Sequence, residues 1–149
     1  MNANWRRMGV LLVLPPLLAG LPCVASASEA RWPLEGVLTS DFGPRRGKAH
    51  RGIDVAAPTG TVVVAVLQGR VAFAGQRGAY GLLVELEHED GWVSRYAHLD
   101  AVEVREGDQV EAGVTLGTVG ATGNATGPHL HLELRKDGHA VDPLSVLPW

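Results

Sequence analysis

Two short motifs have the residue types and spacing of a metal centre. His50-Arg51-Gly52-Ile53-Asp54 sets an imidazole and a carboxylate four positions apart, and His129-Leu130-His131 sets two imidazoles two apart. Side chains at i and i+2 of a β-strand point to the same face, so His129 and His131 can address one point. Neutral imidazole and carboxylate oxygen are good Zn2+ ligands, and three protein ligands with one open position make a catalytic zinc site. Such a site makes a water nucleophilic near neutral pH, and a further polar side chain must then take up and return protons. His98, in Tyr96-Ala97-His98-Leu99, is available for that work. The third ligand has to come from the His129/His131 pair. Spacing alone leaves open which of the two ligates and which moves protons.

The remaining polar residues read differently. His88 and His139 stand beside expected hairpin turns and read as surface residues. Asp41, Glu89, Asp90 and Glu106 read as solvated carboxylates. Glu133 shares the strand phase of His131 and reads as a hydrogen-bond partner rather than a ligand.

A rigid scaffold must position these groups, and the sequence points to β-structure. Gly and Pro number 19 and 9 of 149 residues, which favours many turns over a helical bundle. Strands are expected at Thr61–Val66, Arg70–Ala74, Leu82–Glu87, Trp92–Ala97, Val114–Val119, Leu130–Leu134 and His139–Val141. Asp90-Gly91 and Asp137-Gly138 are tight-hairpin signals. No window sustains a helical period. The expected fold class is all-β: an antiparallel sheet or sandwich with a barrel-sandwich-like core, short hairpins and little helix.

Hydrophobic residues make up 46% of the chain and charged residues 19%, a globular balance. With 13 basic against 16 acidic side chains the net charge is −3, which argues against nucleic acid as a partner. A single Cys, Cys23, excludes a disulfide framework and cysteine-based zinc fingers. Arg6 and Arg7, the apolar run Gly9–Leu21 and the small residues Ala25-Ser26-Ala27 follow the plan of a secretory signal peptide. The expected organisation is a signal peptide over 1–27 and a single domain over 28–149. Its product is a monomer without a membrane span, exported to a Gram-negative periplasm or secreted.

The chain resembles the lysostaphin/LytM-type zinc metallopeptidases, peptidase family M23. The resemblance runs through Trp32-Pro33-Leu34, Leu38–Gly43, His50–Val55, Pro58–Thr61, Tyr80-Gly81 and Tyr96–Leu99. It continues at Gly107, Gly113, Gly117, Gly120 and Thr122-Gly123, then through Thr126–His131 to Val141–Pro143. It implies one Zn2+ per chain held by His50, Asp54 and His131, with His98 and His129 flanking the attacking water as the catalytic pair. It also implies peptidoglycan peptides as substrate, cleaved at an amide of the stem or cross-link. Arg45, Tyr96 and Asn124 are expected to contact that substrate. Only Pro44–Ala49 separates Phe42-Gly43 from His50, and no Tyr lies between Ser28 and Ala79, where some glycine-bridge cutters carry one. Arg45, Arg46, Lys48 and Arg51 cluster there instead, and two readings stand equally: pairing with a substrate carboxylate such as that of diaminopimelate, or a solvent-facing basic loop.

Two other functions compete with hydrolysis. A regulator of this family keeps the fold, loses zinc ligands and activates a wall amidase. Here every expected ligand and both catalytic imidazoles are present, which favours the enzyme. A biotinyl- or lipoyl-type carrier would need a Lys at the turn within Gly107–Gly120. The only lysines are Lys48 and Lys136.

Overall fold

The computed structural model describes residues 29–149, so the expected signal peptide lies outside the described residues. Twelve strands run in chain order: β1 Val37–Ser40, β2 Gly43–Arg45, β3 Lys48–His50, β4 Ile53–Ala56, β5 Val62–Val64, β6 Gly69–Gln76, β7 Leu82–Glu87, β8 Trp92–Val102, β9 Gln109–Val110, β10 Thr115–Val119, β11 His129–Lys136 and β12 His139–Val141. Helical structure among the described residues is confined to short 3-10 turns at Gly78–Tyr80, Glu89–Gly91 and Pro143–Ser145. None of it is long and apolar enough to cross a membrane. The all-β expectation holds. Asp90 (φ 55°) and Gly91 (φ 75°), like Asp137 (φ 48°) and Gly138 (φ 82°), take the left-handed conformation that tight hairpins require.

The main sheet is antiparallel, ordered β1-β4-β11-β8-β7-β6-β9. β8 serves twice. Its first half lies between β7 and β11, while its end pairs with β10, which in turn pairs with β5. This folds β5 and β10 over, so Val63, Leu116 and Val119 join Ile53, Val55, Val84, Leu86, Leu130, Leu132 and Leu134 in one buried core. β2 and β3 form a separate small hairpin. The sequence reading did not foresee β1 to β4. They have at most four residues each and are broken by glycine, too short to show a period.

Period-2 alternation gives the central strands two unlike faces. Leu132 of β11 is opposite Tyr96 of β8, and Tyr96 is opposite Val84 of β7; all face the core. One residue along, Glu133 is opposite Arg95, and Arg95 is opposite Glu85; this row is charged. Tyr96 therefore does not reach a substrate, contrary to expectation. Its side chain is 0% exposed and its hydroxyl accepts the Val66 N–H at 2.9 Å. Burial pushes that phenol up to about 12.

His88 is also not the surface residue expected. Its Nδ1 donates to the Gln68 carbonyl (2.6 Å) and its Nε2 lies 2.8 Å from Ser94 Oγ, which is 3.0 Å from the Tyr96 hydroxyl. A polar chain thus crosses the core and stitches β8 to the loop before β6. His139, by contrast, is exposed as expected.

Tyr96→Phe should cost about 1–3 kcal/mol in urea unfolding, because it strands the buried Val66 N–H. Metal binding should be unchanged. His88→Ala should also destabilise at pH 7. Burial lowers the His88 pKa from 6.5, so the stability carried by its neutral ring is complete above pH 6.5 and lost as pH falls through the lower folded value. Urea titrations at descending pH should show the wild-type advantage over His88→Ala shrinking.

Candidate metal centre and active-site cleft

Strand register builds the site. Antiparallel pairing of β4 with β11 sets Asp54 directly opposite His131, and pairing of β11 with β8 sets His131 opposite Ala97. Facing residues in such ladders have side chains close enough to interact. His50, at the end of β3, reaches the same point. His50 Nε2 lies 3.2 Å from Asp54 Oδ1 and 3.2 Å from His131 Nδ1, and His131 Nδ1 lies 2.8 Å from Asp54 Oδ1. A tetrahedral zinc with bonds of about 2.0–2.1 Å separates its ligands by about 3.3 Å, so the spacing and the N, N, O donor set fit this ion. Among the described residues, His50, Asp54 and His131 are the one grouping of potential metal ligands with this convergence.

Hydrogen bonds on the far side of each ring point the lone pairs inward. His50 Nδ1 donates to the Asp41 carbonyl at 2.7 Å, leaving Nε2 for the site. His131 Nε2 donates to Glu133 Oε1 at 3.2 Å, leaving Nδ1. Burial would lower the His131 pKa, but Asp54 and Glu133 prevail and raise it to about 9 in the metal-free site. Burial would raise Asp54, but the hydrogen bond from His131 and the nearby imidazoles hold it below the ordinary carboxylate range.

His98 and His129 stand beside this centre, their ring centroids 4.8 Å apart. His129 follows from the i, i+2 spacing on β11, and its Nε2 is 3.8 Å from Asp54 Oδ1. His98 does not follow from spacing. Strict alternation would place it in the core beside Tyr96. Instead Val84 pairs with Tyr96 while Leu82 pairs with Leu99, so β8 carries one extra residue there. His98 adopts φ 61° at this bulge, and its side chain turns into the cleft. That left-handed conformation costs on the order of 1–2 kcal/mol for a residue with a Cβ.

The cost is offset by bonding around Thr122. His98 Nδ1 donates to the Thr122 carbonyl (2.8 Å), and Thr122 Oγ1 donates to the Leu99 carbonyl (2.7 Å) and accepts the Leu82 N–H (3.0 Å). The loop can come this close because Gly81 (φ 67°) and Gly123 (φ 70°) pack backbone to backbone; a Cβ on Gly123 would lie 2.4 Å from Gly81 N. His129 Nδ1 likewise donates to the Gly127 carbonyl at 2.8 Å. Both rings keep a free Nε2 acceptor. Burial lowers His98 below its ordinary pKa and favours that neutral form.

An open cleft of about 510 Å³ gathers His50, Asp54, His98, His129, His131 and Glu133. Arg45 and Asn124, expected at the substrate, also line it. Arg45 is 60% exposed, and its Nη1 is 3.5 Å from Asp54 Oδ2. Of the basic cluster, Arg51 joins Arg45 in the lining. The sequence reading assigned no role to Tyr80 or Thr122. Tyr80 lines the cleft and donates its hydroxyl to Glu133 Oε1 at 2.9 Å. Their signal was present only as the short Tyr80-Gly81 and Thr122-Gly123 pairs.

Known proteins share this fold. The peptidase family M23 model matches residues 48–143, and the chain belongs to that family. The murein hydrolase activator NlpD of Escherichia coli is 42% identical over 123 residues, covering 81% of this chain and 32% of that protein. The DD-carboxypeptidase/endopeptidase Mpg of Neisseria meningitidis serogroup B is 48% identical over 115 residues, covering 73% of this chain and 26% of that protein. A zinc-containing peptidase from Vibrio cholerae superposes with a TM-score of 0.75 at 33% identity, covering 81% of this chain and 41% of that one. The chain thus spans about a third or less of the length of these curated relatives.

Glu133 offers a pH test of the site's electrostatics. Burial would raise its pKa, but hydrogen bonds from His131 and Tyr80, the charge of His131 and the bond from Arg135 bring it down from 4.5 to about 2. The stability it contributes is complete above pH 4.5 and lost as pH falls toward 2. Glu133→Gln should lower the urea midpoint at pH 7 and converge on wild type near the acid end of that window.

Proposed function

We propose that the chain is a zinc-dependent endopeptidase that hydrolyses amide bonds of peptidoglycan stem or cross-link peptides. The observation that carries this reading is the convergence of His50 Nε2, Asp54 Oδ1 and His131 Nδ1 beside two further imidazoles in one open cleft. Zinc held by those three atoms would polarise the scissile carbonyl and acidify the attacking water. The protein's own groups do the rest. His98 and His129 are fixed through Nδ1, so the Nε2 of one accepts the proton of the attacking water. An imidazolium formed there delivers a proton to the leaving amine. Before that transfer, the same Nε2–H hydrogen-bonds the oxyanion as it develops. Arg45, Arg51 and Asn124 form the cleft surface for the peptide, with the guanidinium groups suited to a stem carboxylate. The protein acts as an exported monomer.

A second reading has its own support, because the relative NlpD is a murein hydrolase activator. In that case the same cleft face docks a wall amidase and cuts nothing itself.

Metal analysis with digestion of cross-linked muropeptides separates the two. About one zinc per chain and new cleaved stems, abolished by chelator, are expected. No cleavage by the zinc-loaded chain alone, with cleavage only when an amidase is added, would establish the activator instead. His131→Ala should lose both zinc and cleavage. His129→Ala should keep zinc while kcat falls about 10²–10⁴-fold, the range for loss of a general acid–base. The reverse pattern of zinc retention would overturn these roles.

A further inference from the structure

We propose that Glu133, held in place by Arg95 and Arg135, is the positioning residue of the metal centre. It fixes the His131 ring so that Nδ1, and not the Cδ2 edge, faces the metal. The inference deepens the zinc reading above and rests on it.

Four imidazoles surround the cleft, and their outer anchors differ. His50, His98 and His129 each donate to a neutral backbone carbonyl, of Asp41, Thr122 and Gly127. His131 alone is anchored by a carboxylate. That carboxylate is 2% exposed and fully engaged. Its Oε1 accepts from His131 Nε2 and the Tyr80 hydroxyl; its Oε2 meets Arg135 Nη1 at 3.1 Å and Arg95 Nη1 at 3.5 Å. Arg95 is itself fixed, with its Nε 2.5 Å from Glu85 Oε2, and Glu85 also takes Arg77 Nη1 at 3.5 Å. The chain of charges follows strand register, since Glu85, Arg95 and Glu133 are directly opposite one another across β7, β8 and β11.

Removing Glu133 alone costs stability, but stability does not explain why a charged network stands here rather than apolar packing. A buried ion-pair network is commonly neutral or worse for stability than apolar residues of similar volume. Its geometry instead answers a problem specific to His131. A ligand that binds through Nδ1 loses its lone pair from the site if the ring rotates half a turn about χ2. A hydrogen bond at the opposite nitrogen blocks that rotation, and an anion there also strengthens the ring as a donor. Tyr80 shares the same Oε1, so the cleft wall and the ligand are held by one oxygen.

The test uses the full chain with zinc alone and Co2+ alone as probes. Zinc Kd is measured by competition with a chromogenic chelator, and ligand geometry by the absorption bands of the Co2+-loaded protein. Glu133→Ala should raise the zinc Kd about 10–100-fold, the usual cost of losing such an anchor, and should shift the Co2+ bands. Glu133→Gln keeps an acceptor oxygen but no charge; its Kd should rise less, by about threefold or more. His139→Ala, at the exposed start of β12, should match wild type. A folded Glu133→Ala protein with a zinc Kd within twofold of wild type and unchanged Co2+ bands would overturn the inference. If Glu133→Ala does not fold, Glu133→Gln with wild-type Kd and bands overturns it equally. Wild-type protein that binds zinc but cuts nothing would end the endopeptidase reading and leave this inference to the Kd values; wild-type protein that binds no zinc would end both.

Discussion

The site depends on the register of β11 between β4 and β8. That pairing brings Asp54 and His131 face to face although 77 residues separate them in the chain. It also places Glu133 on Arg95. The apolar face sets the register. Leu130, Leu132 and Leu134 are buried on one side of β11, while His129, His131 and Glu133 occupy the other. A slip by one residue would exchange the faces. Each buried leucine is worth about 1.5–3 kcal/mol, so several kcal/mol of hydrophobic burial oppose the slip, before the penalty for burying the polar row.

Against this regular sheet stands one local departure. The extra residue in β8 lets Tyr96 remain in the core while His98, two positions on, enters the cleft. The left-handed backbone at His98 is unfavourable in isolation, and the Thr122 bonds over-determine it. Gly81 and Gly123 make that contact possible, so two glycines outside the cleft decide where the His98 ring sits.

Electrostatics separate the cleft into two parts. Glu133 and Glu85 are neutralised by Arg95, Arg135 and Arg77 behind the ligands. The cations facing solvent from the cleft are Arg45 and Arg51. Those guanidinium groups give the open side a positive edge, which suits an anionic ligand. Deep ion pairs with directional bonds hold geometry, whereas the exposed Arg45 contact with Asp54 contributes little to stability.

The sequence by itself determined the all-β class, the hairpins at Asp90-Gly91 and Asp137-Gly138, and the residues able to bind metal. Those follow from local rules: turn chemistry, period-2 alternation and ligand type act over a few residues. It also marked Glu133 as a partner of His131, because i and i+2 on one strand share a face. Tertiary structure alone decided the rest. The short strands β1 and β4 form because β4 adds to β11 and β1 adds to β4, while β2 and β3 pair only with each other. The His131 ring is bonded to Glu133, and Glu133 in turn meets Arg95, which arrives from another strand. Tyr96 and His98 look equivalent by alternation, and only a bulge bonded to a loop 24 residues away sends one to the core and the other to the cleft. Such contacts join segments distant in the chain, and no local pattern encodes which of them will meet.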